Sequence, residues 1–192
     1  MSRTPFTRFA VAAAVTLAPA LAPATANADE VTDTLNSALT AYEEGDIQYA
    51  LEELEFAKQL MNAMKTDALV GYLPDAPAGW TREISTEMNA GMAMLGGGVS
   101  AEATYSNGTD DITITIMADS PMAAMMGGLI SNAGVMGFEI KRVGREKFVN
   151  QDGELTGLVD NRILVQASGG DIDTQLMLLE LMDLKALKDF GE

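Results

Sequence analysis

Residues 99–118 read VSAEATYSNGTDDITITIMA. Val99, Ala101, Ala103 and Tyr105 alternate with Ser100, Glu102 and Thr104, and Ile112, Ile114 and Ile116 alternate with Thr113, Thr115 and Met117. A period of two places each set on one face of a strand, because successive side chains in extended backbone point in opposite directions. Asn107-Gly108 between the runs supplies the left-handed conformations of a tight turn. The stretch therefore predicts two antiparallel strands with one apolar and one polar face, in a sheet covered on one side.

The pattern continues downstream. A short strand is expected over 80–84, and Ser120-Pro121 offers a cap and a first-turn proline for a helix carrying Met122, Met125, Met126, Leu129 and Ile130. Gly127-Gly128 weakens that helix. Further strands are expected over 138–143, 147–149, 155–159 and 162–167, with turns at Asp152-Gly153 and Asp160-Asn161. A last helix is expected from an Asp171 or Asp173 cap, with Ile172, Leu176, Leu179 and Met182 on one face and Leu184 and Leu187 in a final turn. Strands and helices in this order predict an α+β domain over 80–192, an antiparallel sheet with packed helices.

Upstream, residues 31–64 repeat apolar side chains at helical spacing. Val31, Leu35, Ala38, Leu39 and Tyr42 precede a break at Gly45-Asp46; Ile47, Ala50, Leu51, Leu54, Ala57, Met61 and Met64 follow it. Glu43, Glu44, Glu52, Glu53 and Glu55 fall between them. The expectation is a helical hairpin over 29–70 with an apolar seam and an acidic back, joined by a Pro-rich linker, 71–79, to the sheet domain.

Residues 1–28 have the layout of a cleavable export signal. Arg3 and Arg8 are followed by an apolar run over 9–21 and by Ala26-Asn27-Ala28 ahead of Asp29-Glu30. Cleavage there would leave 164 of the 192 residues and, with two arginines gone, move the net charge from −16 to −18. No cysteine follows the run to carry a lipid, and no later apolar stretch approaches the roughly 20 residues of a membrane helix. The expected location is the periplasm, with no stable membrane anchor. So anionic a surface repels phosphates, which argues against nucleic acid as a partner.

With no histidine and no cysteine, nucleophilic catalysis lacks its usual base and its usual thiol. Gly-x-Ser-x-Gly and Ser-x-x-Lys are absent, and Ser131 and Ser168 fit capping or turn positions. The acidic pairs Asp110-Asp111, Asp152/Glu154 and Asp171/Asp173 fall in predicted turns, with a single tryptophan in the chain to serve as a sugar platform. Gly96-Gly97-Gly98 lacks the lysine of a phosphate loop. No enzymatic activity and no cofactor are expected.

Methionine is enriched, with eight between Met88 and Met136. Soft thioether sulfurs that converge can hold Cu(I), and Met92, Met94, Met125 and Met126 are the candidate ligands for that alternative. Methionine also makes adaptable apolar contact surface, the leading assignment for 88–98 and 122–136. Tyr42, Tyr49 and Trp80 are candidate contacts for a cell-envelope protein partner.

Two resemblances bear on these expectations. Ala41-Tyr42, Gly45-Asp46-Ile47, Ala50, Leu54 and Ala57 resemble one tetratricopeptide-type repeat, which implies a docking hairpin. The order of elements from about residue 72, with Gly79-Trp80 opening the first strand and Asp119-Ser120-Pro121 leading into a helix, resembles the Mog1/PsbP-like group. The Gly-Trp and Met-Leu-Gly-Gly-Gly features are similar to those of uncharacterised proteobacterial secreted proteins. Together these imply a non-enzymatic binding or assembly protein.

Overall fold

The computed structural model describes residues 26–87, 89 and 97–191. Two long helices, α1 (Ala26–Glu44) and α2 (Ile47–Val70), lead into a seven-stranded sheet. Gly45, at φ +85°, makes the reversal between them. Asp46 caps α2 by accepting a hydrogen bond from the Tyr49 amide at 3.1 Å. α1 starts five residues before Val31, because Ala26 and Ala28 are strong helix formers.

The strands are β1 (Thr81–Ser85), β2 (Val99–Ser106), β3 (Asp111–Ala118), β4 (Glu139–Val143), β5 (Glu146–Gln151), β6 (Glu154–Val159) and β7 (Ile163–Ser168). Helix α3 (Pro121–Asn132) links β3 to β4, and α4 (Ile172–Glu180) follows β7 before a short 3-10 turn, Ala186–Asp189. The sheet order is β1-β2-β3-β7-β6-β5-β4, and every pairing is antiparallel. Two meanders, β1–β3 and β4–β7, are thus zipped together along β3 and β7, with α3 carrying the chain to the far edge. The α+β architecture expected from the sequence is the one found.

One face of the sheet holds the main core. Tyr105, Ile112, Ile114, Ile116, Phe148 and Leu155 are fully buried there, against Leu69 of α2, Leu73 in the segment after it, and Leu178, Leu179 and Leu187 near the C-terminus. Ala101 and Ala103 on β2, paired with Ile116 and Ile114, leave room for α2 to approach. Gly157 sits opposite Phe148, and a Cβ there would stand 2.8 Å from the ring. Glycine is what lets the phenyl ring lie flat across β6.

The other face departs from expectation. Part of it is covered too: α3 lies over β5–β7, burying Ala123 against Met117 and Leu164, with Met126, Ile130 and Leu158 packed around them. The trace of this in the sequence was the end of β3, where Ile116, Met117 and Ala118 stop alternating.

Candidate docking surface

The hairpin is joined where small residues meet. Thr34, Ala38 and Ala41 of α1 and Ala50 and Ala57 of α2 are buried, and α1 packs chiefly on α2. This corrects the expected seam. Leu35, Leu39, Leu51, Leu54, Met61 and Met64, assigned to it by periodicity, are exposed, as are Tyr42 and Ile47. Alanine against alanine brings the two backbones close, and the longer neighbouring side chains are then turned outward.

Their direction follows from helix geometry. Leu35, Leu39 and Tyr42 each stand one residue beyond a buried seam position of α1, and Leu51 stands one beyond Ala50 in α2. One residue is 100° of turn, and in two antiparallel helices that rotation leads from the seam to the same side of the pair. Ile47, Leu54 and Met61 fall on that side too, at spacings of three, four and seven from Leu51 and Leu54. Two apolar ridges result, side by side, with Tyr42 65% exposed on one and Leu51 58% exposed on the other. Tyr49 and Phe56, one residue before Ala50 and Ala57, are exposed on the opposite side. The outer rims, turned away from the seam, carry Glu43 on α1 and Glu52 and Glu55 on α2, all exposed, and the exposed Lys58, one residue beyond Ala57, stands beside the α2 ridge.

Ion pairs hold the base of the hairpin to the sheet. Lys65 on α2 donates to Asp119 at 2.6 Å, and Arg162 at the start of β7 donates to the same carboxylate at 3.3 Å. Arg162 also donates to the Lys188 and Phe190 carbonyls, and the Lys65 ammonium lies 5.7 Å from the centre of the Phe190 ring. Burial on its own would push the Asp119 carboxyl up, but the hydrogen bonds and charges of Lys65 and Arg162 outweigh it and hold the group below its ordinary range. Arg82 on β1 adds a second tie, donating to Asp75 at 3.1 Å and to the Val70 carbonyl at the end of α2 at 3.4 Å. Beside it the buried Tyr105 hydroxyl donates to the Pro74 carbonyl at 2.6 Å, and burial pushes its pKa from 10.0 up to about 12.

The other candidate residues are spread over the molecule. Trp80 is half-buried against the main core. Met125 is 79% exposed on α3, whereas the adjacent Met126 packs toward the sheet, so the two sulfurs point in different directions. Met92 and Met94 lie outside the described residues. Met122, Met125, Val135 and Met136 form exposed apolar surface on and after α3. Among the described residues no three or more acidic groups converge as a metal site. Asp171 caps α4 through the Thr174 amide at 2.8 Å, and that hydrogen bond lowers its pKa. Ser131 donates to the Gly127 carbonyl within α3.

Sequence reasoning missed a corner where basic and acidic side chains gather. Six of the ten basic residues after position 28, Lys141, Arg142, Arg145, Lys147, Lys185 and Lys188, fall on β4, β5, their turn and the C-terminal segment. Arg145, Lys185 and Lys188 line a groove of about 620 Å³ there together with Glu146, Glu180 and Asp183, and Lys188 pairs with Glu146 at 2.7 Å. The run Lys141-Arg142 to Arg145-Glu146-Lys147 was its signal, but the convergence with Lys185 and Lys188 is tertiary.

Comparison with protein-family models, curated proteins and solved structures returned no match. No described helix is long and apolar enough to cross a membrane.

Proposed function

We propose that this chain is a non-enzymatic docking or accessory protein of the cell envelope that holds a partner protein on the ridged face of its helical hairpin. The observation that carries this is the inversion of the hairpin: alanines in its seam and leucines, isoleucine and tyrosine on its surface. Large apolar side chains grouped on one exposed face are unfavourable in water and are characteristic of contact surfaces. The ion pairs of Lys65, Arg162 and Arg82 favour the same role, because they fix the hairpin to the sheet and so present the ridges in one orientation. The exposed Met122, Met125 and Met136 supply adaptable apolar contact beyond it.

The test uses the full chain with Leu39→Glu and Leu51→Glu together. Both positions are exposed, so circular dichroism and the thermal midpoint should match the parent. Chemical cross-linking in envelope extracts should give a specific adduct with the parent chain and none with the double variant. An adduct of equal yield from both proteins would remove the hairpin from the interaction.

A further inference from the structure

We propose that the groove between the two ridges takes one cationic amphipathic helix of a partner protein, about four turns long. This rests on the docking role above and adds the chemistry of what docks. Shape comes first. The ridges are Leu35, Leu39 and Tyr42 on α1 and Ile47, Leu51 and Leu54 on α2, and they run along two antiparallel helices in contact. The trough between two such helices is the seat that a third helix fills with its own apolar stripe. From Ile47 to Met61 the ridge extends for about 21 Å at 1.5 Å per residue, which sets the length of the occupant.

Charge then selects among occupants. Residues 30–70 carry nine carboxylates and two lysines. Both lysines are already engaged, Lys58 with Glu55 at 3.3 Å and Lys65 with Asp119 at 2.6 Å. Glu43 and Glu52 on the rims meet no cation among the described residues. A second hairpin laid face to face on this one would double the uncompensated charge, and a nucleic acid or an anionic lipid surface is repelled in the same way. Lysines or arginines flanking an apolar stripe are instead attracted by the excess of nine carboxylates over two lysines in these residues. Complementarity of this kind speeds encounter and fixes register, while the apolar ridges supply the adhesion.

The probes are two labelled synthetic 15-residue helical peptides with the same leucine stripe, one with lysine and one with glutamate on its polar face. Fluorescence anisotropy with the full chain should show the lysine peptide binding at least tenfold more tightly than the glutamate peptide. Its affinity should fall about tenfold between roughly 50 and 500 mM sodium chloride. Leu39→Glu with Leu51→Glu should abolish binding even though it makes the protein more anionic, which separates docking in the groove from general attraction between opposite charges. Glu43→Lys, Glu52→Lys and Glu55→Lys together bring the charge of residues 30–70 close to zero and should remove most of the preference between the peptides. A photo-reactive p-benzoylphenylalanine at position 51 should cross-link to the lysine peptide. Equal binding of the two peptides, or binding of neither, overturns the proposal while the loss of the extract adduct would still stand for docking of some other partner. A cross-link from position 51 to a second copy, or to residues of the same chain outside 30–70, overturns it in favour of that occupant.

Discussion

The sheet body and the hairpin are built from similar apolar residue types and use them in opposite ways. In the body, Tyr105, Phe148, Ile112, Ile114 and Ile116 are buried on the core face, while Glu102, Thr104 and Thr113 lie half-buried on the other. Where the two hairpin helices meet, the buried positions are Thr34, Ala38, Ala41, Ala50 and Ala57, and apart from Leu69, which belongs to the sheet core, most of the large side chains are outside. Burial of a leucine or isoleucine contributes roughly 1.5–3 kcal/mol, so the body draws its stability from its large residues and the hairpin forgoes most of that gain. Large apolar side chains left on the surface of a helix pair make sense as contacts for another molecule.

Substitutions test that contrast most sharply where its effect is greatest. Phe148→Ala removes a fully buried ring packed across Gly157 and is expected to cost about 3–5 kcal/mol, read as a lower urea midpoint with an unchanged slope. A loss under about 1 kcal/mol would mean that the body is no better packed than the hairpin, and the contrast would go. Next comes Tyr105→Phe, which keeps the ring and strips the Pro74 carbonyl of its donor, for an expected loss of about 1–3 kcal/mol. The same hydroxyl gives an alkaline signature. In the unfolded chain it ionises near 10.0, in the folded chain near 12, so its contribution is intact below pH 10 and is lost as pH rises through the folded value. Tyr105→Phe should therefore flatten the stability curve between pH 10 and 12.

Much of the body was legible in the sequence because a sheet with one apolar face writes itself as alternation. The strands of 99–118, their Asn107-Gly108 turn, the Ser120-Pro121 start of α3 and the Asp171 cap of α4 could all be read locally. The hairpin was legible as two helices but not as a surface. A helical apolar stripe is about 100° wide, so Ala38 and Leu39, or Ala50 and Leu51, satisfy the same periodicity. Which of them faces the partner helix depends on how closely the backbones approach, and local spacing does not contain that distance. The fastening of hairpin to sheet was illegible for a plainer reason: Asp119 lies 54 residues from Lys65 and 43 from Arg162.

That fastening gives a smaller effect. The Asp119 carboxyl is depressed in the folded protein, so its contribution is present above the ordinary carboxylate pKa and disappears as pH falls through the folded value. Asp119→Asn keeps a residue that tolerates the φ of +55° found there and removes the titrating charge. Below about pH 4 the parent should lose stability more steeply than the variant, measured as urea midpoints across an acid series. Parallel curves for the two proteins would show that Lys65 and Arg162 do not tie the hairpin through this carboxylate.

The smallest effect is the most telling for the ridges. Leu51 is 58% exposed and does not belong to the seam, so Leu51→Ser should leave stability within about 0.5 kcal/mol of the parent. Ala57, fully buried one position before Lys58 on the same helix, sets the opposite expectation, since a larger side chain there would push the helices apart. If Leu51→Ser were instead to cost 2 kcal/mol or more, on the scale of a core truncation, the leucine would be supporting the fold and not reserved for a partner. A near-zero cost to folding together with loss of the cross-linked adduct is the pairing that only a contact surface produces, because an idle exposed leucine would change neither and a structural one would change both.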